Sequence, residues 1–123
     1  MKIAIPAFGS RVSPRFDCAA TLLLFTVENE KVVERGETSL AQLAPWQRVE
    51  KLKEMDVKAL ICGGIDGASA RLLAFNRIQV IAWVAGEAEE AMKYYLRGGL
   101  RPGAELRPFC RRRYRRGKTF FPQ

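Results

Sequence analysis

The stretch VKALICGGID, residues 57–66, decides the fold. Residues 57–62 form a short, mostly apolar run, which is typical of a strand buried on both faces of a parallel sheet. Gly63 and Gly64 follow directly and favour a sharp turn. Asp66 can then cap a second helix that runs to about Asn76, because a carboxylate accepts hydrogen bonds from the first backbone N–H groups of a helix. The stretch therefore predicts a strand, a glycine turn and a helix.

The pattern repeats downstream of this stretch. Residues 78–84 are apolar enough for another buried strand, and a helix starts near Gly86 and ends at Gly98-Gly99. Glutamates in its first turn suit the positive end of the helix dipole. A strand–helix–strand order implies parallel strands joined by right-handed crossovers.

Antiparallel strands are expected upstream. Residues 2–7, 21–28 and 31–38 have strand character, and the polar pair Asn29-Glu30 between the last two predicts a β-hairpin. Ala44-Pro45 opens the first helix, since proline is tolerated at the first helical position. Together these elements predict an α/β domain with a mixed five-stranded sheet and flanking helices.

The composition excludes several kinds of site. The 123 residues contain no histidine, so a Ser-His-Asp or Cys-His catalytic site is impossible. The three cysteines, Cys18, Cys62 and Cys110, form no C-x-x-C pair, which excludes a zinc ribbon and a thioredoxin-type motif. No apolar run approaches the ~20 residues of a membrane span, and the first residues lack a signal-peptide pattern. We therefore expect a cytoplasmic protein.

The positive charge is concentrated at the end of the chain. The net charge is +8, and residues 101–123 carry eight Lys or Arg against one acid, Glu105. This divides the chain into a domain, residues 1–100, and a basic tail, residues 101–123. The tail could bind nucleic acid or an acidic protein, or could only aid solubility or docking. The arginines that would make such contacts are Arg111, Arg112, Arg113, Arg115 and Arg116.

Two segments could form a binding site at one edge of the sheet. Cys62, Gly63 and Gly64 lie where a strand ends and a helix begins, and ligands of open α/β sheets bind beyond such strand ends. The helix N-terminus would suit an anion. The alternative is that the glycines only make a tight turn and Cys62 is a buried apolar residue.

The second segment is the loop at residues 9–18, which follows the first strand. Arg11 and Arg15 offer guanidinium donors for an oxyanion or a sulfido cluster, Ser13 a hydroxyl and Cys18 a thiol. The alternative is a surface loop whose Phe16 fills the core and whose Asp17 caps a turn.

Three blocks of the sequence carry a family resemblance. MKIAIP at residues 1–6, RVSPRFDCA at residues 11–19 and LICGGI at residues 60–65 resemble the dinitrogenase iron–molybdenum cofactor biosynthesis family. That family contains the NifX-type proteins and the related C-terminal domain of NifB. The similarity covers about residues 1–100 and leaves out the tail.

The resemblance implies a fold, a role and a site. It implies a ribonuclease H-like three-layer fold and a non-enzymatic carrier or chaperone of a metal–sulfur cluster or an iron–molybdenum cofactor precursor. Without histidine, ligation would fall to the thiols, foremost Cys18 and Cys62, with Cys110 as a third. Scattered thiols cannot enclose a Cys₄ cluster, so the cluster would need other ligands, a second protomer or preassembly. The predicted contact residues are Arg11, Ser13, Arg15, Cys18, Cys62, Gly63 and Gly64.

Two alternatives to the carrier remain at the level of the sequence. One is a binding or regulatory module that works through the basic tail. The other is an enzyme in which Asp17 and Asp66 hold a divalent ion, although no further carboxylates on strands support it.

Overall fold

A computed structural model of the protein describes residues 1–103. Its elements follow in chain order: β1 (Lys2–Phe8), β2 (Arg11–Val12), β3 (Thr21–Glu28), β4 (Lys31–Ser39), α1 (Pro45–Glu54), β5 (Val57–Ile61), α2 (Gly67–Phe75), β6 (Gln79–Ile81) and α3 (Ala88–Leu96). None of these helices is both long and apolar enough to cross a membrane.

The sheet is mixed, as predicted. Its order is β4-β3-β1-β5-β6, and β2 pairs with β1 beside this path. The pairings of β1 with β2 and β3, and of β3 with β4, are antiparallel, whereas β1–β5 and β5–β6 are parallel. The sheet described therefore has six strands rather than five, because a two-residue strand forms inside the segment that was expected to be all loop.

The hairpin between β3 and β4 matches the prediction from the sequence. Asn29 and Glu30 both have positive φ, 53° and 63°. Two consecutive residues of this kind form the two-residue turn whose twist suits a β-hairpin. The turn fixes the register of the antiparallel half of the sheet, in which Glu28 faces Lys31.

Two hydrophobic clusters cover the two faces of the sheet and make the fold three-layered. One cluster joins the sheet to Val49 and Leu52 of α1 and Leu73 of α2. The other joins the opposite face to Ala91 and Met92 of α3. Because β1 and β5 are buried on both faces, their apolar residues alternate between the two clusters.

The last described residues return to the parallel edge of the sheet. The Gly103 backbone N–H donates to the Ala82 carbonyl just beyond β6, over 2.9 Å. The basic tail therefore begins near the carboxyl end of that strand.

Candidate functional site

The two segments singled out in the sequence meet in the structure. Gly64 donates its N–H to the Pro14 carbonyl over 2.7 Å, and its own carbonyl accepts from Phe16 over 2.8 Å. These bonds form an isolated parallel bridge between Arg15 and Gly64. The loop after β1–β2 and the glycine turn after β5 are thus joined through their backbones at the carboxyl ends of the parallel strands.

The close approach of the two backbones requires a glycine at position 63. A Cβ built on Gly63 would lie 2.3 Å from the Ser13 carbonyl oxygen and 2.6 Å from that of Pro14. Gly63 is therefore a packing position beneath the site, not a ligand-facing one. Gly64 is less crowded, and a Cβ there would lie 3.2 Å from the ring of Trp83.

A groove opens above this junction. Its volume is about 300 Å³, at the lower end of the range for small-molecule sites. It lies where open α/β sheets place their ligands, beyond the carboxyl ends of parallel strands. Its lining residues are Pro14, Arg15, Asp17, Gly64, Ile65, Asp66 and Trp83.

Trp83 is a wall of the groove that the sequence analysis missed. Strand β6 ends at Ile81, so Trp83 lies beyond it, although residues 78–84 were predicted to be strand throughout. Its φ is +63°, which is unusual for a bulky residue, and 65% of its surface is exposed. Its backbone N–H donates to the Gly63 carbonyl over 3.0 Å, which holds the Trp83 backbone beside the glycine turn. A strained, exposed aromatic residue is typical of a functional position.

The charged rim of the groove is built around Arg15 and Asp17. Arg15 donates from Nε and Nη2 to the two Asp17 carboxylate oxygens, over 3.0 and 2.9 Å. This hydrogen-bonded pair is the largest cause that lowers the pKa of Asp17, and a hydrogen bond from Cys18 acts in the same direction. The guanidinium faces solvent but already has a carboxylate partner.

Asp66 adds a second carboxylate to the groove. It caps α2, as predicted, by accepting from the Ser69 N–H over 2.9 Å. That bond lowers the pKa of Asp66, while the nearby Asp17 charge acts in the opposite direction. The lining thus contains one cation and two anions, so it is less favourable to an anion than the sequence suggested.

The two predicted thiols have opposite environments. Cys18 is exposed beside the rim. Cys62 has no exposed surface and belongs to the core cluster beneath α1 and α2. Burial raises the pKa of the Cys62 thiol to about 12, so it carries no thiolate at neutral pH. The structure therefore corrects the sequence view of Cys62, which has the position of a buried apolar residue rather than of a ligand.

Arg11 and Ser13 lie in the loop but do not line the groove. Arg11 is 3.6 Å from the Glu87 carboxylate, on the side of α3. The Ser13 side chain is buried, and its hydroxyl donates to the Arg15 carbonyl over 3.0 Å. Ser13 shapes the loop, and Arg11 lies beside the start of α3. Of the predicted contact residues, Arg15 and Gly64 line the groove, and Cys18 directly follows the lining residue Asp17 in the chain.

Asp17 and Asp66 meet at the groove, as the enzyme alternative requires. Within residues 1–103, however, no group of three or more Cys, Asp or Glu side chains is arranged to hold a metal ion. A hydrolytic metal centre therefore has no support among the described residues. The predictions for Cys110 and for Arg111, Arg112, Arg113, Arg115 and Arg116 lie outside them.

Comparison with known proteins identifies a family and a fold. The family model described as dinitrogenase iron–molybdenum cofactor matches residues 1–98. No curated protein sequence matches the chain. Among solved structures, a proposed dinitrogenase from Methanocaldococcus jannaschii is 16% identical with a TM-score of 0.70, covering 81% of this chain and 91% of its own.

Two further structures share the fold. The apo form of the orange protein from Desulfovibrio gigas is 20% identical with a TM-score of 0.66, covering 80% of this chain and 89% of its own. A proposed NifB protein from Thermotoga is 23% identical with a TM-score of 0.62, covering 89% and 98%. At these identities the structural likeness shows the fold alone.

Proposed function

Because the chain belongs to the dinitrogenase iron–molybdenum cofactor family, we propose that it is a non-enzymatic carrier of a metal–sulfur cluster or an iron–molybdenum cofactor precursor. The single observation that carries this proposal is the backbone junction of Arg15 and Gly64, which builds an open groove beside the exposed thiol of Cys18. The proposal includes a ribonuclease H-like classification, supported by the three layers and the mixed sheet.

The groove suits a cargo that is assembled before it binds. Among residues 1–103, Cys18 is the one accessible thiol, and a single thiolate cannot hold an iron–sulfur cluster alone. The cargo must therefore bring most of its own sulfide or other ligands. In this proposal Cys18 supplies one thiolate to a metal of the cargo, and Cys62 supplies none.

The other lining groups would orient the cargo rather than coordinate a metal. The Arg15 guanidinium can donate to a metal-bound sulfide once it is shared with, or released from, Asp17. The exposed ring of Trp83 lines the same groove and offers it an apolar, polarisable wall. Because the two carboxylates oppose negative charge, the groove favours a cargo of low net charge or one held by a metal–thiolate bond.

The solved relatives support this function only by analogy. The orange protein was solved in an apo form, which is a protein without its ligand. The Thermotoga structure is that of a proposed NifB protein, and the C-terminal domain of NifB belongs to the family that this sequence resembles. We place the carrier in the cytoplasm, where a reducing environment would keep the thiol of Cys18 free. The tail-mediated alternative stays a prediction, because the arginines that would make those contacts lie outside the described residues.

The experiment uses the full chain and tetrathiomolybdate, a coloured dianion with metal-bound sulfide, under anaerobic conditions. The chain has two tryptophans, so Trp46→Phe leaves Trp83 as the one fluorescent reporter. We expect tetrathiomolybdate to quench Trp83 and molybdenum to remain with the protein after desalting.

Two variants separate specific binding from adsorption. Cys18→Ser should lower retained molybdenum several-fold, whereas Cys62→Ala should retain as much as wild type, since Cys62 is in the core. Absence of both quenching and retained metal in wild type, also after reconstitution with iron and sulfide, would contradict the carrier function. Equal retention in wild type and Cys18→Ser would exclude the thiolate contact.

A further inference from the structure

Arg48 is a buried cation below the candidate site. It is the fourth residue of α1, in the first turn of that helix, and only 5% of its surface is exposed. Its Nε donates to the Leu43 carbonyl over 3.0 Å. Its Nη1 donates to the Phe16 carbonyl over 3.1 Å and to the Ala19 carbonyl. One guanidinium therefore joins the start of α1 to both ends of the segment Phe16–Ala19.

This arrangement is unusual because the charge has no carboxylate beside it. None of the ion pairs found within residues 1–103 includes Arg48. Burying a charge is costly unless hydrogen bonds compensate, and here the carbonyl acceptors provide that compensation. An apolar residue in the same space would leave these carbonyls without their donor, so Arg48 acts on the loop backbone and not through packing alone.

The segment that Arg48 holds carries the rim of the groove. Phe16 and Ala19 are buried beside α1, whereas the residues between them face outward: Asp17 lines the groove and Cys18 is exposed. The two carbonyls that accept from Nη1 of Arg48 thus bracket the Asp17-Cys18 pair. A planar guanidinium can reach these acceptors at fixed angles, which a lysine ammonium cannot do.

We propose that Arg48 is a positioning residue, which holds Asp17 and Cys18 at the groove in the geometry that receives the cargo. The assignment deepens the proposed carrier function and rests on it. Arg48 does not touch the cargo; it acts through the backbone of residues 16–19.

The test compares Arg48→Met, Arg48→Lys and a matched control in the full chain. Val49→Ala is the control. Val49 is buried on the same helix, and its apolar side chain has no donor for these carbonyls. The first readout is hydrogen exchange of the peptide that contains residues 16–19, which needs no cargo. The second is the affinity for tetrathiomolybdate.

We expect amide hydrogen exchange in residues 16–19 to be at least tenfold faster in Arg48→Met than in Val49→Ala. The comparison is made at temperatures that lie equally far below the Tm of each variant. Tetrathiomolybdate should bind about tenfold more weakly to Arg48→Met and with wild-type affinity to Val49→Ala. Arg48→Lys retains the charge but should show the same fast exchange as Arg48→Met. If Arg48→Met does not fold, Arg48→Lys is compared with Val49→Ala in its place.

Three results would overturn the positioning role. The first is exchange in the two Arg48 variants that matches the control. The second is full restoration by Arg48→Lys, since that would assign the effect to charge alone. The third is unchanged affinity despite fast exchange. If wild type itself fails to bind tetrathiomolybdate while exchange depends on Arg48, the carrier function fails and Arg48 remains only a structural tie.

Discussion

Gly63→Ala is the perturbation that tests the junction of the two loops most sharply. The added Cβ would lie 2.3 Å from the Ser13 carbonyl oxygen and 2.6 Å from the Pro14 carbonyl oxygen, and real Cβ contacts are essentially never below 3.0 Å. The backbone at Ser13 must therefore move by about 0.7 Å. Since both close neighbours are backbone atoms, no side-chain rotation can relieve the contact.

The free-energy cost follows from two contributions. Overpacking a rigid site costs about 1–3 kcal/mol. Moving the Pro14 carbonyl also lengthens its 2.7 Å hydrogen bond from Gly64, which contributes roughly 1 kcal/mol. We expect Gly63→Ala to lower the free energy of unfolding by about 2–4 kcal/mol, and Tm by roughly 8–16 °C for a domain of this size.

The assay is thermal and urea unfolding followed by circular dichroism, with Gly36→Ala as the matched control. Gly36 is in β4, and a Cβ there meets nothing within 4 Å, so the same chemical change should leave stability within about 1 kcal/mol of wild type. Equal stability of Gly63→Ala and Gly36→Ala would refute the close approach of the two loops. Tetrathiomolybdate binding by the folded Gly63→Ala protein should also weaken, because the groove lies on that junction.

Three further predictions concern the charged and thiol groups of the site. In the native protein Cys18 should react with iodoacetamide, whereas Cys62 should react only on unfolding. Peptide mapping measures the two rates, and equal rates would contradict the burial of Cys62. Asp66→Ala should cost about 1 kcal/mol of stability at pH 7. Because the folded pKa of Asp66 is lowered, this difference should shrink below about pH 4 in urea titrations, and a constant difference would refute the cap. Asp17→Asn should tighten tetrathiomolybdate binding about two- to fivefold by freeing Arg15; weaker binding would reverse the assigned role.

Much of the fold was readable from local signals. The hairpin turn at Asn29-Glu30, proline at the start of α1 and the Asp66 cap each leave a mark in a few consecutive residues. The family resemblance of the three blocks was confirmed by the family model over residues 1–98. These features were predictable because their causes are local or because they recur in related chains.

The side-chain arrangement of the site was less predictable, because it depends on contacts between distant segments. Trp83 lies at the groove because its backbone N–H donates to the Gly63 carbonyl. The apolar pattern of residues 78–84 does not predict this bond. Cys62 follows a strand buried on both faces, so alternation could not tell whether its thiol faces the groove or the core. Arg11 lies beside Glu87, the residue that precedes α3, and is not among the residues that line the groove.

Arg48 shows the same limit in a different form. In the sequence it is one of several charged residues in a helix and resembles a solvent-facing position. Only the fold reveals that its guanidinium lies beneath the Phe16–Ala19 segment.

A map of backbone amide chemical shifts for the full chain, recorded without air during addition of tetrathiomolybdate, tests the central claim most directly. A cargo site between the two loops predicts saturable shifts confined to residues 15–18, residues 63–66 and Trp83, which surround the groove. Shifts centred on another surface, such as the exposed Phe75 on α2, or no shifts at all, would contradict a cargo site at this edge of the sheet.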